Sequence, residues 1–221
     1  NGLSVSNAHI LEKGDKRMNI NVNDKGTWFS RIEWGISEFS NIDITTSSIG
    51  QVDNQRINAF KSNVYWVRSH FHEPGELFII GGGRLMLISQ KENNVMSSSL
   101  RLSAGRLKGV GWMFSEISNT LELSESLSFN LNPKIALSGT AKPIALGTSL
   151  HWEIMPGVSL IPETNIAVKD SSTNWTFAIR FTPSDNKFID LYTTNSLGFV
   201  DTSQLLKADE QSFGINIGTV F

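Results

Sequence analysis

Ten ionisable side chains fall on the polar sides of alternating segments: Arg31, Glu33, Arg84, Arg101, Lys134, His151, Glu153, Glu163, Lys169 and Arg180. Groups of mixed sign on one shared surface can hold a transverse field for a hydrophilic solute, or they can close on one another as ion pairs. Covalent chemistry has weaker candidates. Ser149, His151 and Glu153 stand at i, i+2 and i+4 and have the types of a nucleophile, a base and an orienting acid. Those roles need hydrogen-bond contact, yet alternate residues of a strand lie about 6–7 Å apart. The spacing therefore argues against a triad and against an enzyme. Ser69-His70 is an equally thin pair. His70, His72 and Glu73 put two imidazoles beside a turn, where a solvated loop explains them better than a metal, so no metal site and no cofactor are expected. Asn174-Trp175-Thr176 has the pattern of an N-glycosylation acceptor.

Composition removes several classes. The 221 residues contain no cysteine, which excludes disulfides, thiolate zinc sites and thiol nucleophiles. The net charge of -2 comes without a basic block, so a nucleic-acid partner is not expected. No apolar run reaches the roughly eighteen residues of a transmembrane helix. No signal peptide is visible, and an exported protein would be represented here by its mature chain.

The elements that must position the charged set are strands. Period-two alternation, broken by turn residues, runs from end to end. Trp28, Ser30, Ile32, Trp34 and Ile36 oppose Arg31, Glu33 and Gly35, and Ile42 and Ile44 oppose Asp43 and Thr45. Arg56–His70 reads as a further strand. Gly81-Gly82-Gly83 predicts a bulge or a close backbone approach. Between Val110 and Leu123 the register is lost, and a bulge is expected near Glu116–Asn119. Pro133 weakens or bends the run from Leu127 to Leu137. Leu146, Leu150 and Trp152 oppose Gly147, Ser149, His151 and Glu153. Turns are expected at Asn23–Gly26, Glu73–Gly75, Lys91–Asn94, Met155–Gly157 and Pro183–Asn186, and a long polar loop over Asn195–Gln211. The count is about 14 strands, with 12 the alternative, in one domain over residues 1–221.

Trp28, Trp34, Trp66, Trp152 and Trp175 share the apolar faces of their strands, several of them close to turns, and the opposite faces are rich in Ser, Asn and Gly. Interfacial aromatic girdles have that distribution, whereas a soluble core holds its tryptophans centrally. The last residues, Ser212–Phe221, put Phe213, Ile215, Ile217, Thr219 and Phe221 on one side and Gly214, Asn216, Gly218 and Val220 on the other.

This closing strand, with its terminal phenylalanine, resembles the C-terminal signature of bacterial outer-membrane β-barrels. The resemblance implies an all-β fold, a closed antiparallel up-and-down transmembrane barrel of about 12–14 strands. It implies the outer membrane as location, lipid around the barrel, and recognition of the last strand by the barrel-assembly machinery. It also implies both chain ends at the periplasmic rim, which makes Ser184 periplasmic and Ser203 part of an exposed outer loop. The ten ionisable residues then line the lumen. The expected function is a porin-like channel passing small hydrophilic solutes by passive diffusion. A plugged barrel with a structural or lipid-modifying role and a soluble all-β ligand carrier remain as alternatives, and the oligomeric state is open.

Overall fold

The structure, a computed structural model, describes residues 2–48, 78–88, 96–107, 110–137 and 142–221. Twelve strands follow in order: β1 Lys16–Asn23, β2 Trp28–Ser37, β3 Ser40–Ser48, β4 Phe78–Ile88, β5 Met96–Leu107, β6 Val110–Ser124, β7 Leu127–Leu137, β8 Ile144–Met155, β9 Val158–Lys169, β10 Asn174–Ser184, β11 Lys187–Ser196 and β12 Lys207–Val220. Each pairs antiparallel with its sequence neighbour, and β1 also pairs with β12, from Arg17↔Val220 to Asn23↔Gly214, so the sheet closes on itself. Closure removes the free edges that an open sheet would leave. Among the described residues the count is 12, the alternative to 14. Because β3 pairs directly with β4, the wall is complete without the segment Arg56–His70, which lies outside the described residues, as do the Glu73–Gly75 and Lys91–Asn94 turns and Trp66.

The predicted alternation holds around the wall. Ile42, Ile44, Leu85, Leu102, Ile166, Leu191, Ile215 and Ile217 are exposed on the outside, and Asp43, Thr45, Arg84, Arg101, Glu163, Asp190 and Asn216 are buried inside. The rim where β1 begins and β12 ends is here the lower rim. Phe39, Trp152, Phe181 and Phe221 are exposed around it, Phe221 to 65%, and Phe213 is exposed to 61% at the upper rim. Gly26 and Gly157 carry the turns Asn23–Gly26 and Met155–Gly157 with φ of 76° and 75°, a region that side chains make costly.

One of three local expectations needs correction. The glycine run of β4 contains no bulge: pairing with β3 and β5 is regular across it, and the shift falls between Met86 and Ile88. The close approach is real, since a Cβ on Gly82 would lie 2.9 Å from Ser103 and 3.1 Å from the Arg101 guanidinium. In β6 there is no bulge at Glu116–Asn119 either; its register with β5 is unbroken from Leu121 to Val110. The pattern seemed lost because Trp112 and Phe114 point into the barrel. Pro133 does disturb β7, as predicted. Beside it the Asn119 side chain donates to the Leu131 carbonyl at 2.7 Å, and the Asn132 side chain accepts the Asn119 N–H at 3.2 Å.

Candidate functional site

The barrel interior is the only region where ionisable groups converge among the described residues, and it is occupied by the chain itself. Residues 2–15, before β1, run down the lumen to the lower rim. Their backbone is read by side chains of the wall. Glu163 accepts the Leu3 and Ser4 N–H groups, both at 2.7 Å, and the Ser4 hydroxyl at 2.8 Å. Lys134 donates to the Ser4 carbonyl, Asn132 to that of Ser6 at 2.7 Å, and Arg84 to that of Asn7. Thr120 accepts the Ala8 N–H at 2.8 Å. Lower down, His9 lies 3.4 Å from Glu122, and partial burial keeps its pKa below the ordinary 6.5. At the rim the segment joins the wall through Gly14 N–H to Gly35 carbonyl at 3.0 Å and Gly35 N–H to Asp15 carbonyl at 2.9 Å.

A second piece enters from above. The β11–β12 connection, with a short 3-10 turn at Asp201–Leu205, folds inward instead of standing exposed. Its apolar members explain why: Leu197, Phe199, Val200 and Leu206 pack with Leu3 of the leading segment and with Phe29, Ile80, Trp112, Ile161 and Tyr192 of the wall, and Leu205 packs with Phe114, Ala136 and Ala145. Asn174 pins the loop through the Gln204 carbonyl at 2.9 Å and the Leu206 carbonyl at 3.3 Å. Asn174 is thus buried, which removes it as a glycosylation site, and Ser203 is buried rather than exposed as the loop reading required.

The charges close on one another. Arg101 grips both carboxylate oxygens of Asp43 from β3 and reaches Asp201 of the upper loop at 3.3 Å. Arg180 holds Asp190 with two bonds of 2.6 and 2.8 Å. Arg17 pairs with Glu33 at 3.2 Å. Glu116, 1% exposed, accepts from Asn132 and Ser118. Lys134, also 1% exposed, spends its three N–H bonds on Ser4, Asn165 and Gln204, one each from the leading segment, the wall and the upper loop. Buried charge is tolerable only when satisfied in this way. Between the two inserted pieces a cavity of about 20 Å³ remains, with Ser4, Arg31, Arg101 and Gln204 among its lining; that is room for about one water. The Asn19 and Asn216 carbonyl oxygens, on residues that line it, have no protein partner.

Of the ten residues singled out from the sequence, Glu33, Arg84, Arg101, Lys134, Glu163 and Arg180 are buried inside, and Arg31 is half-buried, 3.0 Å from the Thr45 hydroxyl. His151 is half-buried towards the lower end. Glu153 and Lys169 do not join them: both are exposed at strand ends, Glu153 accepting the Gly157 N–H at 2.9 Å in the lower hairpin. Ser149 accepts from Asn130 at 2.9 Å, and no hydrogen bond links it to His151 or His151 to Glu153 among the described residues, so the three are not a triad. Ser69-His70 and His70, His72 and Glu73 lie outside those residues. Sequence reasoning passed over Asp43 and Asp190, whose inward parity was legible between flanking isoleucines and leucines. It passed over Glu116 because Trp112 and Phe114 masked the register. Asp201, Gln204 and the leading segment carry no periodic signal.

No family model matches the chain, and no curated protein matches it. Similar folds occur among solved structures. The KdgM porin in complex with disordered oligogalacturonate superposes with a TM-score of 0.65 at 8% identity, over 94% of this chain and 99% of that one. The KdgM porin alone gives 0.63 at 9%, with 94% and 99% covered. An outer membrane channel from Pseudomonas putida F1 gives 0.56 at 10%, with 97% and 98% covered. At such identities the likeness is one of fold, and the shared fold is a closed antiparallel β-barrel.

Proposed function

We propose that this chain is a bacterial outer-membrane channel for small hydrophilic solutes, closed in the described state by its own leading segment and upper loop. One observation carries the reading. The wall is complete by backbone pairing alone, whereas residues 3–8 meet it chiefly through side-chain hydrogen bonds and add no strand to the sheet. The contents can therefore leave without opening the wall. The exposed apolar band and aromatic rims suit a bilayer, and the lower rim, holding Phe221, would face the periplasm. That a similar barrel has been solved with an oligogalacturonate supports passage of a hydrophilic solute through this architecture. Passive diffusion, lipid contact and recognition of β12 by the assembly machinery belong to the same reading, with the single barrel domain as the working unit. Among the described residues, no assembled catalytic group supports an enzyme.

A second reading has its own support: the apolar cluster at the inserted loop suits a permanently sealed structural barrel. Planar-bilayer recording separates the two. A gated channel gives discrete openings, prolonged when Lys134→Met loosens the inserted pieces. A sealed barrel stays silent in both forms and after the leading segment is cut and removed.

A further inference from the structure

The partners of Glu163 raise a question that the channel reading leaves open. Its carboxylate is 4% exposed, and no cation lies within ion-pair distance among the described residues. Among the described residues, every hydrogen bond it accepts comes from Leu3 and Ser4. With the lumen filled, a buried carboxylate is tolerable only if the filling satisfies it, and here Leu3 and Ser4 do so. The wall therefore holds a group that requires N–H or O–H donors from whatever fills the lumen.

The remaining contacts have a matching polarity. Lys134, Asn132 and Arg84 offer donors in succession, and they take the carbonyls of Ser4, Ser6 and Asn7. Thr120 offers an acceptor to the Ala8 N–H. Of the side chains of residues 3–8, only the Ser4 hydroxyl bonds to the wall, and the Asn7 side-chain oxygen has no partner at all. Leu3, Val5 and Ala8 are buried, filling space. The wall thus reads peptide groups along a bent, strand-free backbone and is indifferent to most of the sequence.

We infer that the path of residues 3–8 is a binding track for peptide backbone, and that short uncharged peptides are the solute class of the channel. The solute assignment rests on the channel reading; the binding assignment does not. The leading segment is then a tethered occupant of the site. Glu163 also discriminates. An acidic oligosaccharide would bring its own carboxylates against it, whereas a peptide brings N–H groups.

The test keeps the protein folded with its segment in place. A protease site is inserted at Glu12–Gly14, which is exposed at the lower rim, and the chain is cut after folding. The probe is a synthetic peptide of residues Leu3–Leu11, labelled at its C-terminus, and binding to the detergent-solubilised cut barrel is read by fluorescence anisotropy. Saturable binding is expected, either to the emptied track or by exchange with the cut segment. Affinity should fall roughly tenfold or more in Glu163→Gln and in Lys134→Met, because each leaves a buried partner unmatched. It should fall likewise for a peptide N-methylated at the first two residues, which keeps the side chains and removes the N–H groups. Lys25→Gln, at the upper rim, is the control. Non-saturable binding, or binding insensitive to both substitutions and to N-methylation, overturns the inference. So does displacement of the peptide by oligogalacturonate more readily than by unlabelled peptide. Current through the cut barrel is measured separately. If the peptide binds by these criteria but no current ever passes, the track stands and the channel reading and its solute assignment fall.

Discussion

Gly147 of β8 faces Lys134 of β7 inside the wall, and a Cβ on Gly147 would come within 2.7 Å of the lysine Cε and 3.0 Å of its Nζ. The missing side chain at one residue is the space that the other uses. Lys134 can then extend along the wall to reach the leading segment, Asn165 and the upper loop together. Gly147→Val should push the ammonium off at least one of these acceptors, a loss of about 1.5–3 kcal/mol for a hydrogen bond to a charged group. In bilayer recordings the variant should open more often than the parent. Unchanged gating would mean that Lys134 does not hold the inserted pieces.

Leu146, one residue away, points outward. Leu146→Arg should destabilise the barrel by about 2–4 kcal/mol if it lies near the bilayer midplane, measured by reversible denaturant unfolding in lipid vesicles, while leaving gating untouched. Exchange of the two phenotypes between positions 146 and 147 would invert the assignment of faces.

Arg101 ties the wall to the upper loop, and its two carboxylate partners do different work. Asp201→Asn should free the loop and keep the wall, since Asp43 still satisfies the guanidinium. Arg101→Met strands Asp43 and Asp201 together and should cost about 3–5 kcal/mol. Thermal unfolding of both variants, side by side, tests this order of severity.

Cysteine labelling can follow the loop because the chain has no cysteine of its own. With an impermeant maleimide on intact cells, Lys142→Cys at the exposed upper rim should react fast. Ser203→Cys should react slowly, because its site is buried, and faster when combined with Asp201→Asn. Ser184→Cys should react only once the outer membrane is broken. Fast labelling at Ser203 in the parent background would mean that the loop stands outside.

Acid should loosen the leading segment. Burial lowers the His9 pKa in the docked state, with Glu122 opposing the shift. A histidine with a depressed pKa favours docking above its free value near 6.5, and that contribution is lost as pH falls below it. Open probability should therefore rise between pH 6.5 and 5, and His9→Gln should flatten the response. A parent channel with no pH response over this range would remove His9 from the gate.

The wall was legible because each strand repeats a two-residue rule, and one face of it is apolar and exposed. Parity alone placed Arg101 and Glu163 inside and Ile215 and Ile217 outside. The rule fails where the interior is itself apolar. Trp112 and Phe114 face inward to meet Phe199, Leu205 and their neighbours, and alternation cannot say on which side an aromatic residue finds company. What fills the lumen was not legible at all. Residues 2–15 are held largely by side-chain contacts such as Asn132 to Ser6 and the β11–β12 loop by an irregularly spaced apolar cluster, and neither leaves a periodic trace in the chain.

The seam between β1 and β12 also divides the work of the chain. Arg17 pairs with Val220, so the wall is completed by strands from opposite ends of the chain, and contacts of that separation form slowly. The residues that precede all twelve strands have their wall partners at Arg84, Thr120, Lys134 and Glu163, on strands β4, β6, β7 and β9, none of which belongs to the seam. The polar surface that receives the leading segment is therefore assembled from the middle of the chain, and the slow pairing at the seam closes the wall without supplying any of these partners.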